Sequence, residues 1–349
     1  MAAQSLQSSQ LGRTILISRT DKIGDVVLTL PLAGFLKEQI PGCQVYFLGQ
    51  GYTRTVIESC SFVDKFYDWK EIEALEASER VQFFRSLQLD SIVHVFPNQK
   101  IARTAFAAGV PLRIGVAGRI YHWLFCNRLA FVSRKRSGLH EAQLNLKILQ
   151  GFLPSDPVSL PNLQNYYGLQ PKAQLPPAVE ALLSKECFNL ILHPKSAGSA
   201  REWPLERYLE LARLLPRERF KVFVTGGPAE AAELEKMFGG ASEVYLLAGK
   251  LSLGELLRLV QSCDGLVAAS TGPLHVAAAL GKFCLGIYPL KKPMHAARWG
   301  PVGKRAKSVQ AAVKAARCQQ SCGVNNMCAC MNMVTVDMVL REVLEWQKF

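Results

Sequence analysis

The first candidate for chemistry is a carboxylate near the start of the chain. Residues 19–25 read Arg-Thr-Asp-Lys-Ile-Gly-Asp, and Asp25 stands just before an apolar stretch with helical spacing. The segment lacks the glycine pattern of a dinucleotide-binding loop. Asp25 has two interpretations, either the N-terminal cap of a helix or a general base on the floor of a cleft. Position alone favours the cap.

Three loops in the second half of the chain carry groups suited to an anionic nucleotide. Residues 193–204 combine small residues, hydroxyls and two cations ahead of a predicted helix. Residues 225–230 place two glycines for close backbone approach and Glu230 within reach of a ribose diol. Residues 270–275, Ser-Thr-Gly-Pro-Leu-His, present amides and hydroxyls at a helix start. Each loop could be an ordinary turn, but the three together favour a binding site.

Short apolar strands precede these loops. The predicted strands are 14–18, 44–48, 91–96, 112–116, 188–192, 221–225 and 265–268. The predicted helices are 28–40, 205–215, 229–237, 253–262, one after the 270–275 turn, and one near 334–346. This alternation predicts an α/β protein with parallel sheets covered by helices. Ligands are then expected at the carboxyl ends of the strands, in the cleft between domains.

Length and composition predict two folded domains. The chain has 349 residues, of which 49% are hydrophobic and 20% charged, so extensive disorder is excluded. Prolines cluster between residues 152 and 177, which divides the chain into domains of 1–170 and 171–333, followed by a C-terminal helix over 334–349 that could cross back to the first domain. No apolar run reaches the roughly 20 residues of a membrane span, and the polar start lacks a secretion signal. We therefore expect a cytoplasmic protein.

The net charge of +13 indicates an acidic partner. Nucleic acid, anionic lipid and phosphorylated substrates all qualify, and a solvated basic face remains the alternative for any single residue. The basic residues concentrate in two groups, Arg113, Arg119, Arg128, Arg134, Lys135 and Arg136 in the first half and Lys291, Lys292, Arg298, Lys304, Arg305 and Lys307 in the second.

The chain ends with a cysteine-rich segment. Cys318, Cys322, Cys328 and Cys330 follow a spacing that departs from the paired Cys-x2-Cys of common zinc sites. A tightly packed, thiol-rich loop is the favoured interpretation, and a metal site stays open.

Several motifs resemble glycosyltransferase family nine, the lipopolysaccharide heptosyltransferases. The stretch 15–31 is similar to the family's opening motif, with a Gly-Asp-Val turn followed by Thr-Leu-Pro. The later motifs recur in order, with the resemblance running from Thr14 through Pro301 and into the cysteine-containing tail. They are His193, Arg201-x-Trp203-Pro204, Gly226-Gly227, Gly249-x-Leu251-Ser252-Leu253 and Ser270-Thr-Gly-Pro-Leu-His275-x-Ala277.

The resemblance implies a GT-B fold, in which two Rossmann-like domains face a central cleft. It implies an inverting transfer of heptose from ADP-L-glycero-D-manno-heptose to the lipopolysaccharide inner core, with the acceptor on the first domain and the nucleotide sugar on the second. Asp25 matches the catalytic base. The donor-binding matches are Ser196, Arg201, Glu230, Leu251, Ser270, Thr271, Gly272 and His275.

The acceptor would be an acidic glycolipid, the Kdo- and phosphate-bearing lipopolysaccharide core precursor. Arg113, Arg119 and His140 are the predicted acceptor-binding residues, and Trp123, Leu124 and Phe125 are expected to assist peripheral contact with the inner face of the inner membrane. Phosphate-binding cations and amides would replace a metal, so no obligatory cofactor is expected. No nucleic-acid partner is expected either.

Two positions depart from the family pattern. Arg201 replaces a common Lys and preserves its charge, whereas Ser270 replaces an Asp and exchanges a strong acceptor for a weaker one. Ser270 therefore keeps open a second donor, such as a UDP-hexosamine, or another cell-surface glycan as acceptor. A non-enzymatic nucleotide-sugar or nucleic-acid-binding protein is the alternative of another class, and the presence of Asp25 argues against it.

Overall fold

The computed structural model describes residues 10–134, 136–153, 158–311 and 329–347. The chain divides into two compact units, Met1–Gln170 and Pro171–Phe349. Each unit is built around a parallel sheet of six strands. This confirms the predicted α/β fold with two doubly wound sheets.

The first unit holds the sheet with strand order β3-β2-β1-β4-β5-β6. Its strands are β1 (Thr14–Ser18), β2 (Gln44–Gly49), β3 (Lys65–Asp68), β4 (Ser91–His94), β5 (Leu112–Val116) and β6 (Arg128–Ala130). Its α-helices are Ile23–Val27, Leu30–Gln39, Arg54–Glu58, Trp69–Glu73, Ala77–Ser86, Gln99–Ala107, Ile120–Phe125, Glu141–Lys147 and Leu160–Leu163. The central strands β1 and β4 are buried along almost their whole length, as apolar strands covered on both faces should be.

The second unit holds the sheet with strand order β12-β11-β10-β7-β8-β9. Its strands are β7 (Phe188–His193), β8 (Phe220–Val224), β9 (Val244–Leu246), β10 (Gly265–Ala269), β11 (Phe283–Tyr288) and β12 (Ala306–Gln310). Its α-helices are Pro177–Glu180, Leu205–Leu214, Ala231–Phe238, Leu253–Ser262, Gly272–Ala279, Ala296–Trp299, Ala329–Asn332 and Val336–Leu344.

The two sheets have the same topology. In each, the first strand along the chain pairs with the second on one side and with the fourth on the other, β1 with β2 and β4, and β7 with β8 and β10. The chain therefore reverses its winding direction between β1 and β4 and again between β7 and β10. Open α/β sheets bind ligands beyond the carboxyl ends of the strands at such a point. The loops that follow β1, β7 and β10 carry Asp25, Ser196 with Arg201, and residues 270–275, whereas Glu230 and Leu251 follow β8 and β9.

The helix predicted over 28–40 is two helices, Ile23–Val27 and Leu30–Gln39. Pro31 lies in the first turn of the second helix, where it has no N–H to donate to the turn before it. Thr29 stands between the helices, and its hydroxyl donates to the carbonyl oxygen of Asp25 at 2.8 Å. The interruption at residues 28–29 ends the short helix Ile23–Val27 that carries Asp25.

The C-terminal helix Val336–Leu344 groups with the second unit, whereas the sequence left open that it crosses back to the first domain. Its apolar face packs on the helix Leu205–Leu214 and on β11. Trp346, just beyond it, stacks on Phe283 with ring centroids 5.6 Å apart. The amphipathic face is satisfied by its own sheet. Among the described residues, no helix combines the length and the apolar character needed to cross a bilayer.

Candidate active site

Asp25 is the third residue of the helix Ile23–Val27, and Lys22 occupies the N-cap. Because Lys22 is the N-cap residue, the cap interpretation of Asp25 is wrong. The Asp25 carboxylate is instead bound by the side chain of an arginine. Arg19 Nη2 donates to Asp25 Oδ1 at 2.5 Å. The Asp25 side chain is 22% exposed. Partial burial raises the pKa of this carboxyl, and the charge of Arg19 acts in the opposite direction.

Arg19 follows β1 directly and is buried. Its Nε donates to Asp21 Oδ1 at 2.7 Å, and its Nη1 lies 3.4 Å from both Glu141 Oε1 and Asn145 Oδ1. Burial raises the pKa of Asp21 to about 6, although Arg19 opposes this shift. One guanidinium thus joins the loop after β1 to the helix Glu141–Lys147.

A second guanidinium supports the buried Glu141. Arg134 Nε donates to the same Glu141 oxygen at 2.9 Å, and Arg134 Nη2 donates to Asn145 Oδ1 at 3.2 Å. Asn145 in turn donates to the hydroxyl of Thr29 at 3.1 Å. Sequence reasoning missed the roles of Arg19, Glu141 and Asn145. Arg19 stands inside the recognised motif, whereas Glu141 and Asn145 carry no local signal.

The three predicted acceptor-binding residues have different surroundings. Arg113 Nε donates to the Phe125 carbonyl oxygen at 2.7 Å, so its side chain braces a loop. His140 is buried and caps the helix Glu141–Lys147, with Nδ1 accepting from the amide of Ala142 at 3.2 Å. Arg119 is exposed at the start of the helix Ile120–Phe125. Of the three, Arg119 is exposed and could reach a bound acceptor, whereas the side chains of Arg113 and His140 hydrogen-bond to the backbone of the protein itself.

In the second unit, Ser196 lies in the loop after β7 and is buried. Its amide and its hydroxyl both donate to Glu202 Oε1 at 2.8 Å. Lys195 Nζ pairs with Glu202 Oε2 at 2.9 Å. Glu202 therefore occupies donors that would suit a phosphate, a contact that the sequence did not predict. Arg201, its neighbour in the loop, is half-buried.

Glu230 connects two loops of the second unit. One carboxylate oxygen accepts from the amide of Ala197 at 3.0 Å, and the other accepts from the amide of Gly227 at 2.7 Å. Ala197 has a φ of 46°, in the left-handed region, so the loop after β7 turns tightly at this contact. Leu251 is half-buried in the neighbouring turn, where the amide of Gly249 donates to the Gly226 carbonyl oxygen at 2.9 Å.

His193 ends β7 and is a neutral, structural residue in this arrangement. Its Nδ1 lies 2.8 Å from the Thr225 hydroxyl at the end of the adjacent strand. Burial lowers its pKa to about 4. The pair ties together the loops after β7 and β8.

The loop after β10 leads into the helix Gly272–Ala279. Thr271 is the N-cap residue, and its buried hydroxyl has no hydrogen-bond partner among the described residues. Gly272 is the first residue of the helix, and His275 is buried one turn on. Ser270 is half-buried and hydrogen-bonds to Tyr288. A helix start with free amides and an unsatisfied hydroxyl is a place where an anion can bind.

The described residues contain no cluster of His, Cys, Asp and Glu that could hold a metal ion. Cys318, Cys322 and Cys328 lie outside the described residues. Cys330 is buried, as expected for a packed thiol.

The chain is similar to known glycosyltransferases over most of its length. The model of glycosyltransferase family 9 (heptosyltransferase) matches residues 82–327. A Haemophilus influenzae protein named only as a glycosyltransferase is 26% identical, over 84% of this chain and 88% of its own length. Lipooligosaccharide heptosyltransferase 2 of Haemophilus ducreyi is 27% identical, over 77% of this chain and 80% of its own. The structure of the Escherichia coli ADP-heptose lipopolysaccharide heptosyltransferase II aligns with a TM-score of 0.73 at 19% identity, covering 95% of this chain and 97% of that one.

Proposed function

Because the chain belongs to glycosyltransferase family 9 (heptosyltransferase), we propose that it moves a heptose from ADP-L-glycero-D-manno-heptose to the lipopolysaccharide inner core with inversion. The observation that carries the proposal is the Asp25 carboxylate. It lies at the carboxyl end of the central strand β1, is partly exposed, and is held by a buried guanidinium. The named substrates of the Escherichia coli structural relative support the choice of donor and acceptor.

In the proposed reaction, Asp25 accepts the proton of an acceptor hydroxyl as that oxygen attacks the anomeric carbon. A new carbon–oxygen bond forms on one face of the sugar while the bond to the nucleotide diphosphate breaks on the other. The configuration therefore inverts. The contacts of the described residues engage Asp25 Oδ1, which leaves Oδ2 to take the proton.

The departing diphosphate would be met by positive and polar groups of the second unit. Arg201, the Ser196 hydroxyl and the amides at Thr271 and Gly272 supply charge-assisted and helix-terminal hydrogen bonds. Ser196 can take part only when its donors leave Glu202. Glu230 would hold the ribose, Leu251 would lie near the base, and Ser270 and His275 would face the sugar. We propose that these groups make a metal ion unnecessary.

We also propose that the first unit brings the enzyme to the acidic glycolipid at the inner face of the inner membrane. Residues 91–140 contain eight Lys and Arg and no Asp or Glu. Four large apolar side chains there are strongly exposed, Ile120 by 86%, Trp123 by 59%, Leu124 by 68% and Phe131 by 78%. Exposed apolar side chains close in sequence to exposed cations such as Arg119 and Arg128 suit an anionic bilayer surface. Phe125, also predicted to assist, is half-buried and its ring contacts Phe106 at 5.8 Å.

A second candidate donor is a UDP-hexosamine, and Ser270 favours keeping it. A serine that hydrogen-bonds to Tyr288 offers the sugar a neutral partner in place of a carboxylate. The acceptor and reaction type would be unchanged.

Nucleotide release decides between these donors. The full-length protein would be incubated with purified Kdo-bearing, phosphorylated lipid A and either ADP-heptose or UDP-N-acetylglucosamine. We expect acceptor-dependent release of ADP and a glycolipid product heavier by one heptose. Release of UDP alone would favour the second candidate, and release of neither would contradict both.

A further inference from the structure

Arg19 occupies a central position between the proposed base and the interior of the first unit. Its Nη2 binds Asp25, its Nε binds Asp21, and its Nη1 faces Glu141. The guanidinium is planar and has five N–H donors in fixed directions, so three partners on different sides determine its orientation. The side chain is only 3% exposed, which leaves it little freedom to turn away.

The inner partner of Arg19 is itself fixed. Glu141 is 1% exposed and shares one oxygen between Arg19 and Arg134. A buried carboxylate that has two guanidinium partners has a defined position, because moving it would leave a buried charge unpaired. The orientation of Arg19 is therefore set from the core side, before any substrate binds.

A second chain of hydrogen bonds holds the backbone of Asp25. Asn145, which faces Arg19 Nη1 at 3.4 Å, donates to the Thr29 hydroxyl, and Thr29 donates to the Asp25 carbonyl oxygen. The side chain and the main chain of Asp25 thus both connect to the helix Glu141–Lys147. These links span more than 100 residues of sequence.

We propose that Arg19 is a positioning residue for Asp25, which holds carboxylate oxygen Oδ1 so that Oδ2 points to the acceptor hydroxyl. The inference rests on the proposed role of Asp25 as the base. Arg19 does not touch the reacting atoms. Its charge also has a second effect, because it opposes the burial that raises the pKa of Asp25.

The test compares Arg19→Gln and Arg19→Lys with the unaltered enzyme across a pH series, using ADP-heptose and Kdo-bearing lipid A. Loss of an opposite charge at this distance moves a carboxyl pKa upward by about 1–3 units. The acidic limb of kcat/KM in Arg19→Gln should therefore move upward by at least about one pH unit. Arg19→Lys keeps a charge but lacks the planar fork, so its limb should move less while its plateau falls.

Two further measurements separate positioning from a general structural role. Calorimetric affinity for ADP should stay within about twofold in both variants, because Arg19 lies in the other unit from the proposed nucleotide loops. In an Asp25→Asn background, Arg19→Gln should change turnover little, since two residues that act as one unit give non-additive effects. Arg54→Gln, which alters a surface ion pair with Glu58, is the matched control and should change neither limb nor turnover.

The outcomes distinguish this inference from the proposed function. If Asp25→Asn retains normal turnover, the base assignment itself fails. Arg19 is not a positioning residue if Asp25→Asn is inactive but both Arg19 variants keep the original acidic limb. The same conclusion follows if the Arg19 variants lower turnover by the same factor in the Asp25→Asn background as they do with Asp25 present. Arg19→Lys keeps a cation in the buried site, so it serves as the test protein if Arg19→Gln does not fold.

Discussion

Glu202 Oε1 accepts two hydrogen bonds from Ser196, one from the amide and one from the hydroxyl, each at 2.8 Å. The Glu202 carboxylate thus occupies the hydrogen-bond donors of Ser196 that we assign to the diphosphate of the sugar nucleotide. Glu202→Gln keeps an oxygen acceptor for Ser196 but removes a negative charge near the phosphates. We expect ADP binding to tighten by about 1 kcal/mol, or roughly fivefold, because one charge–charge repulsion is lost.

Titration calorimetry with ADP measures this change. Glu243→Gln is the control, since Glu243 pairs with Arg217 at 2.9 Å before the edge strand β9. Its ADP affinity should equal that of the unaltered protein. Weaker ADP binding in Glu202→Gln would mean that Glu202 shapes the phosphate loop rather than competing with the ligand.

Ser270 tests the choice of donor sugar. Ser270→Asp restores the family's carboxylate, which is a strong acceptor only where sugar hydroxyls match it, so relative turnover among ADP sugars should change. Affinity for free ADP should change less, or fall modestly through repulsion of the phosphates. The measurement is turnover with a panel of sugars on one base. If all donors slow by the same factor, Ser270 is structural and plays no part in donor choice.

The exposed apolar group of the first unit predicts binding to anionic vesicles. Ile120 and Leu124 lie one helical turn apart, and both would lose contact with lipid in the double variant Ile120→Ser/Leu124→Ser. Sedimentation with phosphatidylglycerol vesicles should show at least about a tenfold loss of binding, since burying each side chain contributes on the order of 1.5–3 kcal/mol. Leu214→Ser removes an exposed leucine of the second unit and is the control. The proposed membrane-binding surface would be contradicted if the protein bound neutral and anionic vesicles equally, or if the double variant bound anionic vesicles as well as the unaltered protein.

His94 predicts a loss of stability in mild acid. It ends β4, is fully buried, and neither ring nitrogen has a partner among the described residues. Burial lowers its pKa to about 3. Below pH 6.5 the unfolded chain binds a proton at this site that the folded chain does not, so the free energy of unfolding falls as the pH falls.

Replacing this residue should flatten that pH dependence. Between pH 7 and pH 5, His94→Leu should remove roughly 2 kcal/mol of the acid-induced loss of unfolding free energy. Urea unfolding at both pH values measures it. An unchanged difference between the two pH values would show that His94 is protonated in the folded protein.

The sequence predicted the central strands better than the edges of the sheets. Continuous apolar runs such as Thr14–Ser18 indicate strands that are buried on both faces. The edge strands Arg128–Ala130 and Val244–Leu246 have only three residues, too few for a periodic signal. Phe283–Tyr288 is an apolar run that the sequence predictions omitted, although its signal was present.

The site was predictable only where it is local in sequence. Asp25 and the loops after β7 and β10 lie in continuous motifs, so their residues could be named in advance. The contact of Arg19 with Glu141 joins residues 122 positions apart, and no local pattern encodes it. The contact of Glu202 with Ser196 depends on a tight turn through Ala197 and Gly198, both with positive φ. Propensity does not predict that turn, because alanine rarely adopts this conformation.

The role of Asp25 as the base is the central claim, and a comparison of Asp25→Asn with Asp21→Asn tests it most directly. Both carboxylates bind Arg19 and both are partly buried, at 22% and 18% exposure, so loss of either charge disturbs the same guanidinium. Turnover with ADP-heptose and Kdo-bearing lipid A should fall by about 10²–10⁴ in Asp25→Asn, and by far less in Asp21→Asn, while ADP affinity stays nearly constant in both. Equal losses of turnover in the two variants, or an Asp25→Asn loss matched by a loss of stability, would contradict the claim and assign Asp25 to the structure of the loop.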